Sequence, residues 1–107
     1  MLDSFLWYTA HETPADVLSL KGGDVISADI SDAPEGIPID QLIDQRRELP
    51  GATGVINLAA FLNALNRIGF DGPVRAEPFN EALRKMPREE AVAATSRAMK
   101  KAFALIT

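Results

Sequence analysis

The sequence contains no cysteine, so it offers no disulfide framework, no thiolate nucleophile and no cysteine-ligated zinc site. It contains one histidine, His11, in a Thr-Ala-His-Glu stretch. No apolar run approaches the roughly 18 residues of a membrane span. Basic residues are outnumbered eleven to fifteen, for a net charge of -4. That balance argues against nucleic acid as a partner, because a phosphate backbone requires a basic stripe. The opening ten residues lack a basic start and a small-residue cleavage site, so no secretory signal is expected. What is present is ordinary globular composition, 47% hydrophobic and 24% charged over 107 residues. It predicts one small cytoplasmic domain of the α/β class.

Residues 2 to 8 are rich in bulky apolar groups and predict a short strand. Thr13 and Pro14 mark a helix start, and Lys21-Gly22-Gly23 a stop. A second strand is expected over Asp24 to Ile30. The stretch from Ser31 to Val55 then predicts a long irregular connection, of a length usually functional or disordered. A helical turn or two is expected between Ile39 and Leu49. Asn57 opens a clear helix, with Leu58, Phe61, Leu62, Leu65 and Ile68 on one face and Gly69 as its stop. A third strand is expected from Val74 to Phe79, a helical turn from Asn80 to Lys85, and a last helix from Pro87. Val92, Thr95, Met99, Phe103 and Ile106 form the expected buried stripe of that helix. Strands alternating with helices imply parallel pairing. Three such strands with one helical layer leave a face uncovered, whereas parallel sheets are normally covered on both.

Three stretches carry a resemblance. One runs from Ser31-Asp32-Ala33-Pro34 through Arg47-Glu48-Leu49-Pro50-Gly51 to Val55-Ile56-Asn57-Leu58. Another is Gly69-Phe70-Asp71-Gly72-Pro73-Val74-Arg75-Ala76-Glu77-Pro78-Phe79-Asn80. The third is the opening Leu2-Asp3-Ser4-Phe5. Together they resemble the C-terminal part of sugar phosphate isomerases and epimerases of the xylose-isomerase-like (β/α)8 barrel family. The resemblance implies a partial barrel: about three parallel strands with helices on one side, the last third of a barrel of about 250 residues. It also implies a divalent metal, Mn2+ or Mg2+, held at strand ends by two glutamates, an aspartate and a histidine. In that chemistry a proton moves between adjacent carbons beside a metal-polarised carbonyl.

By the same resemblance, Asp3 matches the aspartate ligand, Glu77 the final glutamate, which is also the catalytic carboxylate, and Arg47 a substrate-contacting arginine. Asp29 stands where the family has histidine; its oxygens still suit a hard cation. Leu6 stands where a histidine is often found, and the first glutamate would lie upstream. Read from the residues alone, Glu77 and Asp3 are either ligands or solvated strand ends. Asp29, among apolar neighbours, needs a partner or a cation unless it faces solvent. Arg46 and Arg47 sit among Asp40, Asp44 and Glu48, either as surface ion pairs or, for Arg47, as a substrate fork. His11 reads as an exposed loop residue. Two functions are therefore expected: part of a metal-dependent sugar or sugar phosphate isomerase, incomplete alone, or a non-catalytic binding and assembly module on the same scaffold. Open strand edges predict a homo-oligomer or a complementing chain.

Overall fold

The computed structural model describes all 107 residues, from Met1 to Thr107. Three short strands, β1 (Leu2–Asp3), β2 (Ala28–Ile30) and β3 (Val74–Ala76), form one parallel sheet in the order β1-β2-β3. The register pairs Asp3 with Asp29, and Asp29 with Arg75. Five helices accompany it: α1 (Ser4–Thr9), α2 (Pro14–Leu18), α3 (Leu58–Arg67), α4 (Glu81–Lys85) and α5 (Arg88–Phe103). This is the expected partial (β/α) barrel, an open sheet with helices packed on it.

The opening differs from expectation. The strand stops after Asp3, because the Asp3 carboxylate accepts the Leu6 N–H (3.0 Å) and caps a helix instead. Phe5 and Trp7 then turn inward, while Leu6 is left half exposed. Trp7 packs on Phe61 of α3, ring centroids 5.2 Å apart, and donates its indole N–H to the Thr13 carbonyl.

The other elements start and stop where their caps require. Asp16 accepts the Thr13 N–H at 2.7 Å at the head of α2. Asn57 accepts the Ala60 N–H at 3.0 Å at the head of α3, and Asn80 accepts the Leu83 N–H at 2.9 Å at the head of α4. Gly69 ends α3 with φ +81, a left-handed conformation that favours glycine. The face of α3 buries Leu58, Phe61, Leu62 and Leu65 against Ile30, Ala28, Phe5 and Val17.

The long connection holds only a 3-10 turn at Ile39–Gln41, yet it is firmly built. Asp32 is fully buried, and its two carboxylate oxygens accept four backbone N–H groups, from Ala33, Thr53, Gly54 and Ile56. Asp32 and Glu48 also exchange backbone hydrogen bonds, both at 2.8 Å. One carboxylate thus replaces the ladder that the loop lacks.

The α5 stripe is a second departure. Only Ala102 of this helix is buried; Met99 and Ile106 pack partly on the core, while Val92 and Phe103 stay exposed. Phe103 borders a shallow cleft with Leu62, Leu65 and Phe70, while Val92 projects from the outer side of the helix.

Candidate functional site

In β2, Ala28 and Ile30 point into the core, so Asp29 between them projects from the opposite face. In-register pairing puts Asp3 and Arg75 on either side of it. Glu77, just past the end of β3, lies close enough to Arg75 for the two charges to interact. The strand ends therefore gather Asp3, Asp29 and Arg75 side by side, with Glu77 close to Arg75.

What they do there differs from the metal-ligand reading of Asp3, Asp29 and Glu77. Asp29 is 2% exposed, and both of its oxygens are taken by Arg75. Nε of Arg75 donates to Oδ1 at 3.0 Å and Nη2 to Oδ2 at 3.2 Å, a two-pronged fork. Asp3 is equally committed. Its Oδ1 caps α1, and its Oδ2 accepts from Nη1 of Arg47 at 2.8 Å. Glu77 is half-buried and takes no hydrogen bond through its carboxylate. No group of three or more Asp, Glu or His side chains is arranged to hold a metal ion. The donor set does not fit a divalent cation, because two of its three carboxylates are already neutralised by guanidinium groups.

Arg47 also sits differently from a substrate fork. It is 3% exposed, with Nε donating to the Asp44 carbonyl at 3.0 Å and Nη2 to the Asp44 carboxylate. Its guanidinium lies between the rings of Phe5 (4.6 Å) and Phe79 (5.1 Å). Burial lowers its pKa, but the hydrogen bonds to Asp3 and Asp44 outweigh that, and the group ends above its ordinary value. For Arg75 the hydrogen bonds to Asp29 are the main cause of a rise, helped by the charges of Asp29 and Glu77. Both arginines are permanent cations.

Beside this row lies a cleft of about 620 Å3, lined among others by Arg46, Arg47, Glu48, Phe79, Asn80 and Arg84. Glu48 accepts from Asn80 at 2.6 Å, whereas Arg46 and Arg84 have no carboxylate partner. His11 is remote from the row in function: it is exposed and bonded to Asp40 at 2.6 Å. Sequence reasoning passed over Arg75 and Arg84. The available signal for Arg75 was its closeness in sequence to Glu77. No helix is long and apolar enough to cross a membrane.

No protein-family model matches the chain. Against curated proteins it is 38% identical over 95 residues to the inosose isomerase of Bacillus subtilis (strain 168), a match covering 86% of this chain and 32% of that protein. Its fold matches the crystal structure of an IolI protein with a binding zinc atom, with TM-score 0.86 and 32% identity over 94% of this chain and 36% of that one. It also matches a xylose isomerase domain protein from Alicyclobacillus acidocaldarius subsp. acidocaldarius, with TM-score 0.84 and 30% identity over 98% of this chain and 37% of the other. The chain spans about a third of the length of these relatives. Sequence and fold together make it a relative of the xylose-isomerase-like TIM-barrel proteins, corresponding to about a third of one barrel.

Proposed function

We propose that the chain forms one wall of a sugar-binding site of the isomerase and epimerase type, and that it does not complete the chemistry alone. The observation that carries this is the row Asp3, Asp29 and Arg75 at the strand ends, with Glu77 close to Arg75. Its occupant is a polyol, inosose or ketose. Hydroxyl and carbonyl oxygens match the free donors of Arg75 and the unengaged carboxylate of Glu77. The adjoining cleft, with unpaired Arg46 and Arg84, suits the phosphate of a sugar phosphate. The remaining wall comes from outside these 107 residues.

The test is a titration of the isotope-labelled chain with an inosose and with a ketose phosphate, followed by backbone NMR shifts. Shifts at Arg75 and Glu77 without turnover are expected, and additional shifts at Arg46 and Arg84 for the phosphate ester alone. Absence of shifts with either sugar sinks the reading.

The metal-dependent proton transfer with Mn2+ or Mg2+ that the resemblance implies for Asp3, Asp29 and Glu77 is not favoured by this donor set, because Arg75 and Arg47 already hold two of its three carboxylates. One bound ion per chain, abolished by Glu77→Ala, would overturn that.

A further inference from the structure

We propose that Arg75 is the resident cation of this strand-end row, and that its guanidinium makes the row independent of metal. This deepens the sugar-wall reading and rests on it for the ligand. Asp29 sits in the middle strand, buried at 2% exposure, with apolar residues on both sides in sequence. A carboxylate so placed cannot stay charged without a counter-ion. Arg75 supplies one from the next strand, at the register position directly beside it. The planar fork reaches both oxygens at 3.0 and 3.2 Å, so the carboxylate's charge is already met by a cation and a second one approaching from the free face would be repelled by the guanidinium. Asp3, on the other side, is closed by Arg47. Arg75 also lies within electrostatic reach of Glu77.

The fork engages Nε and Nη2 of Arg75, and Nη2 also approaches the Met1 sulfur at 3.7 Å. Nη1 keeps both of its N–H groups free. On the open face these can donate to a sugar carbonyl or hydroxyl oxygen. A fixed guanidinium thereby binds the ligand oxygen by hydrogen bonding.

The test begins with the native chain, stripped of metal and titrated calorimetrically with Mn2+ and with Zn2+. No saturable binding is expected up to about millimolar ion, a threshold set by the hard-cation sites that oxygen donors build. Its melting temperature should be the same with a chelator and with either ion. Arg75→Leu should lower the melting temperature by about 10 °C or more, because Asp29 is left buried and unpaired. Added Mn2+ should restore part of that loss, while Arg75→Lys should need no metal. Stoichiometric ion binding by the native chain, removed by Asp29→Asn, overturns the proposal. So does an Arg75→Leu variant that melts with the native chain. The native titration decides the matter even if Arg75→Leu does not fold. Ion binding combined with sugar-induced NMR shifts rejects only the resident cation. Missing sugar shifts without ion binding reject only the sugar wall.

Discussion

Arg47 shows how far a side chain's role depends on what surrounds it. Its guanidinium, the Asp3 carboxylate and the Phe5 ring are inside the protein, while Phe79 is half-buried and Asp44 reaches it from the surface. Removing one member of a buried ion pair strands the other, at a cost of about 3–5 kcal/mol. Arg47→Ala should therefore lose that much stability in urea unfolding. Arg47→Lys should recover little of it, since an ammonium cannot fill the slot between Phe5 and Phe79 as a flat guanidinium does. The folded chain raises the Arg47 pKa, so the stability linked to it is fully present below the unfolded value and is lost only as pH climbs through the folded one. The Arg47→Ala deficit should thus be equal at pH 7 and pH 10. The sequence made Arg47 conspicuous through its acidic neighbours, but Asp3 lies 44 positions away. Only the fold brings that partner in, which is why the residue reads as a surface fork in sequence and proves to be a buried clasp.

Elements with local signals were legible, and those set by distant contacts were not. The α3 helix carries its cap at Asn57, its apolar stripe and its glycine stop within a dozen residues, and all three act as expected. The opening failed because Leu2 to Tyr8 has the composition of a strand, while a single cap, Asp3, redirects it into α1. The Asp29–Arg75 pair was hidden for a related reason: it depends on strand register, which the sequence does not state. The turn after α2 gives a sharp test of packing between elements. A side chain at Gly22 would stand 2.3 Å from the Ile68 carbonyl oxygen, at the end of α3, whereas one at Gly23 meets nothing. Gly22→Ala should cost about 1–3 kcal/mol by forcing α3 away from the turn. Gly23→Ala, where φ is not positive, should be neutral or stabilise by up to about 1 kcal/mol through the unfolded chain. Thermal melts of the two variants, one residue apart, check both.

The whole molecule exposes more than its mass predicts. A compact chain of 11.6 kDa has an accessible surface of about 5,800 Å2, and this one has 6501 Å2. The excess, roughly 700 Å2, is close to what one partner contributes to a stable protein interface, about 800 Å2. Its sources are visible. Strands β1 and β3 each present an unpaired edge, and α5 holds Val92 at 61% and Phe103 at 44% exposure. In the relatives this third of the chain is continuous with the rest of a protein nearly three times as long. Supplied alone, it should recover the missing contacts by self-association, because an exposed strand edge and an apolar helix stripe are each more stable covered. Sedimentation at micromolar concentration should report a species heavier than one chain, dissociating on dilution. Val92→Glu should shift the equilibrium toward monomer without lowering the melting temperature of the dilute chain, since that side chain contributes little to the core. A single folded monomer at every concentration would mean that the exposed edges are tolerated, and that the sugar wall must work, if it works, without a second copy.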